Sequence, residues 1–81
     1  MLVTVRLFAR LREIAGTPDI QLEVPTGSTA GHAWKSLAAR YPGLEAYESS
    51  ISCAVNEDYA RMTAQLRDGD EIAFLPPVSG G

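Results

Sequence analysis

The segment 66–77 runs Leu66-Arg67-Asp68-Gly69-Asp70-Glu71-Ile72-Ala73-Phe74-Leu75-Pro76-Pro77, a turn followed by a strand and two prolines. Asp68-Gly69 is turn chemistry, because glycine adopts a positive φ freely and aspartate bonds to nearby backbone groups. Residues 71–75 (EIAFL) then form the last strand, with Phe74 turned toward the core. Proline cannot donate to a ladder of backbone hydrogen bonds, so the strand ends before Pro76.

Two further strands and a short helix are predicted in the first third of the chain. Three alternating apolar positions mark each strand, Val3, Val5 and Leu7 in the first and Ile20, Leu22 and Val24 in the second. The short helix covers residues 9–15 (ARLREIA) and stops at Gly16. Pro25 ends the second strand, which is about five residues long.

The main helix follows these elements. It begins after a cap at Ser28 or Thr29, because short polar side chains satisfy free backbone N–H groups there. Apolar residues then recur at intervals of three and four until Pro42-Gly43 breaks the pattern. We expect Trp34 and Leu37 to fill the core.

The remaining segment predicts a loop through Leu44 and Tyr47 and then a hairpin. Ile51, Cys53 and Val55 alternate with smaller residues, which is typical of a strand. Residues 56–58 (NED) read as a tight turn into a short edge segment around Tyr59.

The order of these elements fits an α+β fold, a mixed sheet packed on one main helix, and a ubiquitin-like β-grasp is its most concrete version. Residues 1–75 would form the β-grasp domain and residues 76–81 a flexible C-terminal tail.

In a β-grasp fold, the first and last strands lie side by side and parallel. Phe8 and Leu75, at the C-terminal ends of these strands, would then be neighbours. Leu7 and Phe74 point toward the helix, so the alternation of side chains turns Phe8 and Leu75 away from it. The sequence therefore predicts an exposed apolar patch at the root of the tail.

Composition excludes several classes of function. Seven Lys and Arg against ten Asp and Glu give a net charge of −3, which lacks the basic footprint of a nucleic-acid binder. No apolar stretch approaches the ~20 residues that span a bilayer, so no membrane partner is expected. The single Cys53 excludes a disulfide framework and multi-cysteine metal sites. We expect a protein of the reducing cytoplasm.

The polar residues of the domain offer poor material for catalysis. Cys53 lies on the inward side of a predicted strand, where a small buried apolar role is favoured over a reactive thiol. His32 falls in the first turn of the main helix and is best interpreted as a surface residue. A set of acids, Asp68, Asp70 and Glu71, lacks the spacing of a calcium loop and fits a turn better. Scattered cations, Arg6, Arg10 and Arg12, fit a solvated face. No metal site is predicted.

The last six residues differ in character from the domain. Val78-Ser79-Gly80-Gly81 follows Pro76-Pro77, carries no ionisable side chain and ends in two residues without a Cβ. Fully extended, the tail reaches ~20 Å, enough to enter a pocket of another protein. Its terminal carboxylate is a poor electrophile, so a partner would first have to convert it to an acyl-adenylate with ATP. The alternative interpretation is a frayed chain end without a function, which would have the same Gly-Gly composition.

Four segments carry a resemblance that resolves this choice. They are residues 7–13 (LFARLRE), 54–56 (AVN), 66–74 (LRDGDEIAF) and 76–81 (PPVSGG). In this order they resemble the motifs of the MoaD family, the small subunit of molybdopterin synthase. The closing DGDE and PPVSGG are the most specific parts, whereas the main helix matches only in pattern.

The resemblance implies a sulfur carrier that is not an enzyme on its own. Gly81 would be adenylated by an E1-like adenylyltransferase and converted by a sulfur donor to a thiocarboxylate, with no stably bound cofactor. Its sulfur would pass to cyclic pyranopterin monophosphate to form the dithiolene of molybdopterin. The large subunit would supply the catalytic side chains, in an assembly of two large and two small subunits. Phe8, Leu75 and Tyr59 would form the partner interface, although Tyr59 and Leu75 match the family pattern less closely.

Three other functions remain open. One is the related sulfur carrier of thiazole (thiamine) synthesis, although its members are typically shorter and lack the Pro-Pro pair. Another is a ubiquitin-like modifier joined to target lysines through Gly81. The last is a plain interaction module, which leaves the Gly-Gly end unexplained.

Overall fold

The computed structural model of this chain describes residues 1–77, and the predicted order of strands and helices is present in it. The strands are β1 (Leu2–Leu7), β2 (Asp19–Glu23), β3 (Ser52–Val55), β4 (Asp58–Ala60) and β5 (Glu71–Leu75). The helices are α1 (Ala9–Ala15), α2 (Ala30–Arg40) and a 3₁₀ helix (Pro42–Tyr47).

The five strands form one mixed sheet in the order β2-β1-β5-β3-β4. β1 and β5 are parallel and central, and every other neighbouring pair is antiparallel. α2 packs across one face, which we call the inner face, and the opposite face is called the outer face. The predicted α+β class and the β-grasp arrangement are confirmed.

Alternation places the apolar side chains of the sheet under α2. The largest fully buried residues are Val3, Val5, Leu7, Leu11, Leu22, Trp34, Leu37, Leu44, Cys53, Ile72 and Phe74. Trp34 of α2 meets Phe74 of β5 edge to face, with ring centroids 5.0 Å apart and planes at 65°, a geometry that aromatic quadrupoles favour. Trp34 and Leu37 fill the core as predicted.

Two local predictions were incomplete. The segment after α2 is a 3₁₀ helix and not an open loop, because Pro42 suits a first helical turn and Leu44 is fully buried there. The hairpin turn uses Asn56 and Glu57 alone, at φ 50° and 74°. Two successive positive φ angles are typical of the two-residue turn that matches strand twist, so Asp58 already belongs to β4.

The helix ends follow from their capping residues. Gly16 ends α1 at φ 76°, a left-handed conformation that costs glycine little. Thr29, and not Ser28, caps α2. Ser28 is buried, and its carbonyl accepts a backbone hydrogen bond from Leu66 at 2.9 Å. None of the helices within residues 1–77 has the length and apolar character that crossing a membrane requires.

Candidate functional site

The root of the tail lies at the end of the central parallel pair. Leu7 of β1 is in register with Phe74 of β5, so the next residues, Phe8 and Leu75, follow side by side at the same sheet edge. Phe8 is 42% exposed and Leu75 is half-buried. Both lie on the outer face, as predicted, and they form an apolar patch where the chain leaves the sheet.

Tyr59 extends the outer face toward the far edge of the sheet. It is 84% exposed on β4 and lies opposite Ala54 of β3, which in turn lies opposite Ala73 of β5. Ala54 is only 9% exposed although it faces outward. The two alanines therefore form a low floor between Tyr59 and the patch of Phe8 and Leu75. We call these five residues the outer patch.

The backbone is strained beside Phe8. Ala9, the first residue of α1, adopts φ 50°, where a Cβ costs about 1–2 kcal/mol. This conformation turns the chain sharply from β1 into α1 and leaves Phe8 at the corner, without a side-chain cap on the helix. Strain of this kind often accompanies functional sites.

The predicted cations lie on a solvated surface. Arg6 Nε is 3.2 Å from Glu71 Oε1 and 3.7 Å from Asp19 Oδ1, which links β1 to both of its neighbours. Arg10 Nη1 is 3.1 Å from Glu13 Oε2 one turn along α1. Exposed pairs like these contribute little to stability. Arg12 is exposed in the last turn of α1.

Two of the three predicted acids, Asp68 and Asp70, are turn residues, whereas Glu71 is the first residue of β5 because its backbone already pairs with β1. Asp70 Oδ2 accepts from the Arg67 backbone N–H at 2.8 Å, and Oδ1 accepts from Asn56 Nδ2 at 2.9 Å. Both bonds lower the pKa of the Asp70 carboxyl, and the bond from the Arg67 N–H has the larger effect. Asp68 Oδ1 accepts from the Leu2 backbone N–H at 2.7 Å. Within residues 1–77, no group of three potential ligand side chains is arranged to hold a metal ion.

Cys53 and His32 both have structural roles. Cys53 is 1% exposed, its thiol donates to the Ala60 carbonyl at 3.3 Å, and burial raises the pKa of the thiol. His32 is exposed, as predicted, but it also completes a capping box. Its Nδ1 accepts from the Thr29 N–H at 3.1 Å, while its own N–H donates to Thr29 Oγ1 at 3.2 Å. Sequence reasoning missed this role because the usual partner there is Glu or Gln.

The predicted tail begins within the described residues and continues past them. Pro76 is half-buried and Pro77 is exposed. Val78, Ser79, Gly80 and Gly81 lie outside the described residues, so the predictions for them rest on the sequence. β5 ends at Leu75, so the chain leaves the sheet through Pro76 at the C-terminal end of a central strand, next to the outer patch.

Comparison with known proteins covers nearly the whole chain. A sequence profile described as the ThiS family matches residues 5–81. The molybdopterin synthase sulfur carrier subunit of Arabidopsis thaliana is 42% identical over 98% of this chain and 82% of its own length. The human protein of the same name is 39% identical over 98% of this chain and 93% of its own length.

Solved structures show the same architecture. The crystal structure of SAMP1 from Haloferax volcanii superposes with a TM-score of 0.88 and 32% sequence identity. The superposition covers 100% of both chains. The β-grasp arrangement of the described residues is thus shared with a protein of related sequence.

Proposed function

This chain belongs to the ThiS family, and we propose that it is a sulfur carrier, the small subunit of a molybdopterin synthase. The observation that carries the proposal is the parallel pairing of β1 with β5, which puts an apolar patch at the root of a Gly-Gly tail. A carrier needs both the patch and the tail, because a partner must bind the domain while the end of the tail reacts in the partner's active site.

The reacting group is the carboxylate of Gly81. An E1-like adenylyltransferase joins it to AMP with ATP, and pyrophosphate leaves. The outer sulfur of a persulfide donor then attacks the carbonyl carbon and AMP departs, leaving an acyl disulfide. A thiol reductant cleaves its S–S bond, which releases the thiocarboxylate at Gly81 and leaves the donor in a disulfide with that thiol. This sulfur passes to cyclic pyranopterin monophosphate. The domain keeps no cofactor bound, and its candidate side chains, Cys53 and His32, are occupied by structural hydrogen bonds.

The outer patch is the surface offered to the partners. Phe8, Leu75 and Tyr59 supply apolar and aromatic area of the kind that anchors protein interfaces. The large subunit provides the catalytic groups, and two large and two small subunits assemble together. The adenylyltransferase uses the same patch at an earlier step. A cytoplasmic location agrees with the single reduced thiol.

The test is a reconstituted reaction. Thiocarboxylated protein is mixed with the large subunit and cyclic pyranopterin monophosphate, and molybdopterin is measured. We expect conversion that depends on the thiocarboxylate. Deleting Gly81 removes the reacting group, so no product should form although the thermal unfolding midpoint stays nearly unchanged. Equal conversion with the deletion variant would rule the proposal out, and a large loss of stability would make the tail a structural element.

A second candidate is a ubiquitin-like modifier. The full-length likeness to SAMP1, whose abbreviation stands for small archaeal modifier protein 1, favours it. Activation of Gly81 is the same in both functions up to the adenylate. The two functions differ in what accepts the activated Gly81, because a modifier forms amide bonds with lysines of other proteins. Affinity-tagged chain recovered from cells under denaturing conditions would carry such conjugates only in the second case.

A further inference from the structure

The chain is almost devoid of amine nucleophiles. Lys35 is the single lysine among its seven Lys and Arg residues. Arginine stays protonated and does not accept acyl groups. The terminal ammonium of Met1 donates to the Val24 carbonyl at 2.8 Å in a part-buried position, and the thiol of Cys53 is buried. One accessible amine side chain therefore remains.

Lys35 stands free at the edge of a cleft. It is exposed on α2, and the cleft lies between α2 and the 3₁₀ helix, with a volume of about 460 Å³. Its lining consists of Lys35, Ala38, Ala39, Glu45 and Glu48. The ion pairs within residues 1–77 use Arg6 and Arg10, and none of them engages Lys35. Once it loses a proton, the amine of Lys35 is therefore free to act as a nucleophile.

The lining of the cleft suits the end of another copy of this chain. Residues 76–81 have no ionisable side chain, so apart from the group carried by Gly81 itself they add no charge beside Glu45 and Glu48. Gly80-Gly81 has no Cβ, and the alanine side chains of the cleft leave room for a backbone to approach closely. Glu45 and Glu48 line the same cleft as Lys35, and a carboxylate is a suitable acceptor for the proton that an attacking amine releases.

Lys35 lies on the other side of the molecule from the outer patch. Its neighbours Trp34 and Leu37 are buried against the inner face of the sheet, whereas Phe8 and Tyr59 are exposed on the outer face. An acyl group on Lys35 therefore leaves the outer patch uncovered. A joined copy can still bind the partners that recognise that patch.

We propose that Lys35 is the acyl-acceptor site through which activated copies of this chain join one another, by a single linkage from Gly81 to Lys35. The site rests on activation of Gly81 as in the proposed function. Nζ attacks the carbonyl carbon of the Gly81 adenylate, a C–N bond forms, and the bond to AMP breaks with the electron pair leaving on AMP. The proton from Nζ passes to a cleft glutamate or to water. The ATP that made the adenylate is consumed by the activating enzyme.

A chemical thioester at Gly81 of the full chain tests the site without any enzyme. After incubation, intact mass and peptide mapping identify the products. We expect a dimer linked through Lys35, and a decrease of about tenfold or more in Lys35→Arg, which keeps the charge but not the nucleophile. Equal dimer in Lys35→Arg would overturn the proposal. So would a monomer closed on its own Lys35, because the linkage proposed joins two copies.

A matched variant tests whether the cleft matters. Lys35→Arg combined with Arg40→Lys moves the amine to the exposed last turn of the same helix. We expect the yield of dimer to stay low, and full recovery would show that any surface amine suffices and would overturn the site. With the activating enzyme, ATP and a sulfur donor, a thiocarboxylate without any dimer would refute this linkage and leave the carrier function standing. If the thioester gave the dimer but the enzyme formed no thiocarboxylate, the linkage would be supported and the carrier function would be refuted.

Discussion

Leu7 and Phe74 lie opposite each other in the parallel pair of β1 and β5, and both are buried beneath α2. Because side chains alternate along a strand, the residues that follow them, Phe8 and Leu75, must face outward. Parallel pairing also brings the C-terminal ends of the two strands to the same edge of the sheet. The patch and the start of the tail are therefore adjacent as a consequence of topology.

Replacing Phe8 by serine should weaken binding to the large subunit while the fold is kept. Phe8 is the N-cap of α1 and makes no side-chain cap, so a serine hydroxyl there gains a capping position. Loss of a central aromatic contact should cost about 2 kcal/mol of binding free energy. Isothermal titration with the large subunit measures it.

Leu2→Ser is the matched control for this prediction. Leu2 is 48% exposed at the opposite end of β1, on the same outer face. Its replacement should leave the affinity unchanged. If both variants bound as tightly as the wild type, the outer patch would not be the interface.

Sequence patterns located most of the fold because periodicity reports burial directly. The alternation that includes Val3 and Val5 predicts β1, the one that includes Phe74 predicts β5, and Gly16 predicts the end of α1. The 3₁₀ helix was not predicted, because Pro42-Gly43 marks the end of one helix equally well as the start of another. The role of His32 depends on which ring nitrogen accepts a hydrogen bond, and residue type does not reveal that. The floor of Ala54 and Ala73 depends on register across three strands.

Leu44→Ala should be strongly destabilising although the residue lies in a segment predicted to be a loop. Its side chain is 0% exposed and belongs to the core. Truncation of a buried leucine leaves a cavity and costs about 2–5 kcal/mol. Urea unfolding followed by the fluorescence of the single Trp34 measures this loss. Leu2→Ala, at an exposed position, should cost much less, and equal losses would contradict the burial of Leu44.

Ala9→Gly should be at least as stable as the wild type, which is unusual for a helix. The φ of 50° at Ala9 strains a side chain with a Cβ, and glycine removes this strain. Relief of the strain offsets the larger conformational entropy that glycine loses on folding. Ala15→Gly, in the last turn of the same helix, has no strain to relieve and should lose about 0.5–1 kcal/mol. Thermal unfolding compares the two variants, and a greater loss in Ala9→Gly would contradict the strained geometry.

Asp70→Asn should remove a pH-dependent contribution to stability. Hydrogen bonds from the Arg67 N–H and from Asn56 lower the pKa of Asp70 in the folded state. A lowered folded-state pKa gives stability that is present above the unfolded-state value, about 3.9, and is lost as pH falls through the folded-state pKa. The wild type should therefore lose stability from about pH 4 downward, and Asp70→Asn should lack this part of the slope.

Asn56→Gly tests one hydrogen bond to Asp70 while leaving the Asp70 carboxylate in place. Glycine tolerates the φ of 50° at this position, but it removes the Nδ2 donor that is 2.9 Å from Asp70 Oδ1. The remaining bond from the Arg67 N–H, at 2.8 Å, still favours the charged form. Urea midpoints measured from pH 7 down to pH 3 should thus show a pH dependence between that of the wild type and that of Asp70→Asn. A slope in Asp70→Asn as steep as that of the wild type would mean that other carboxylates carry the effect.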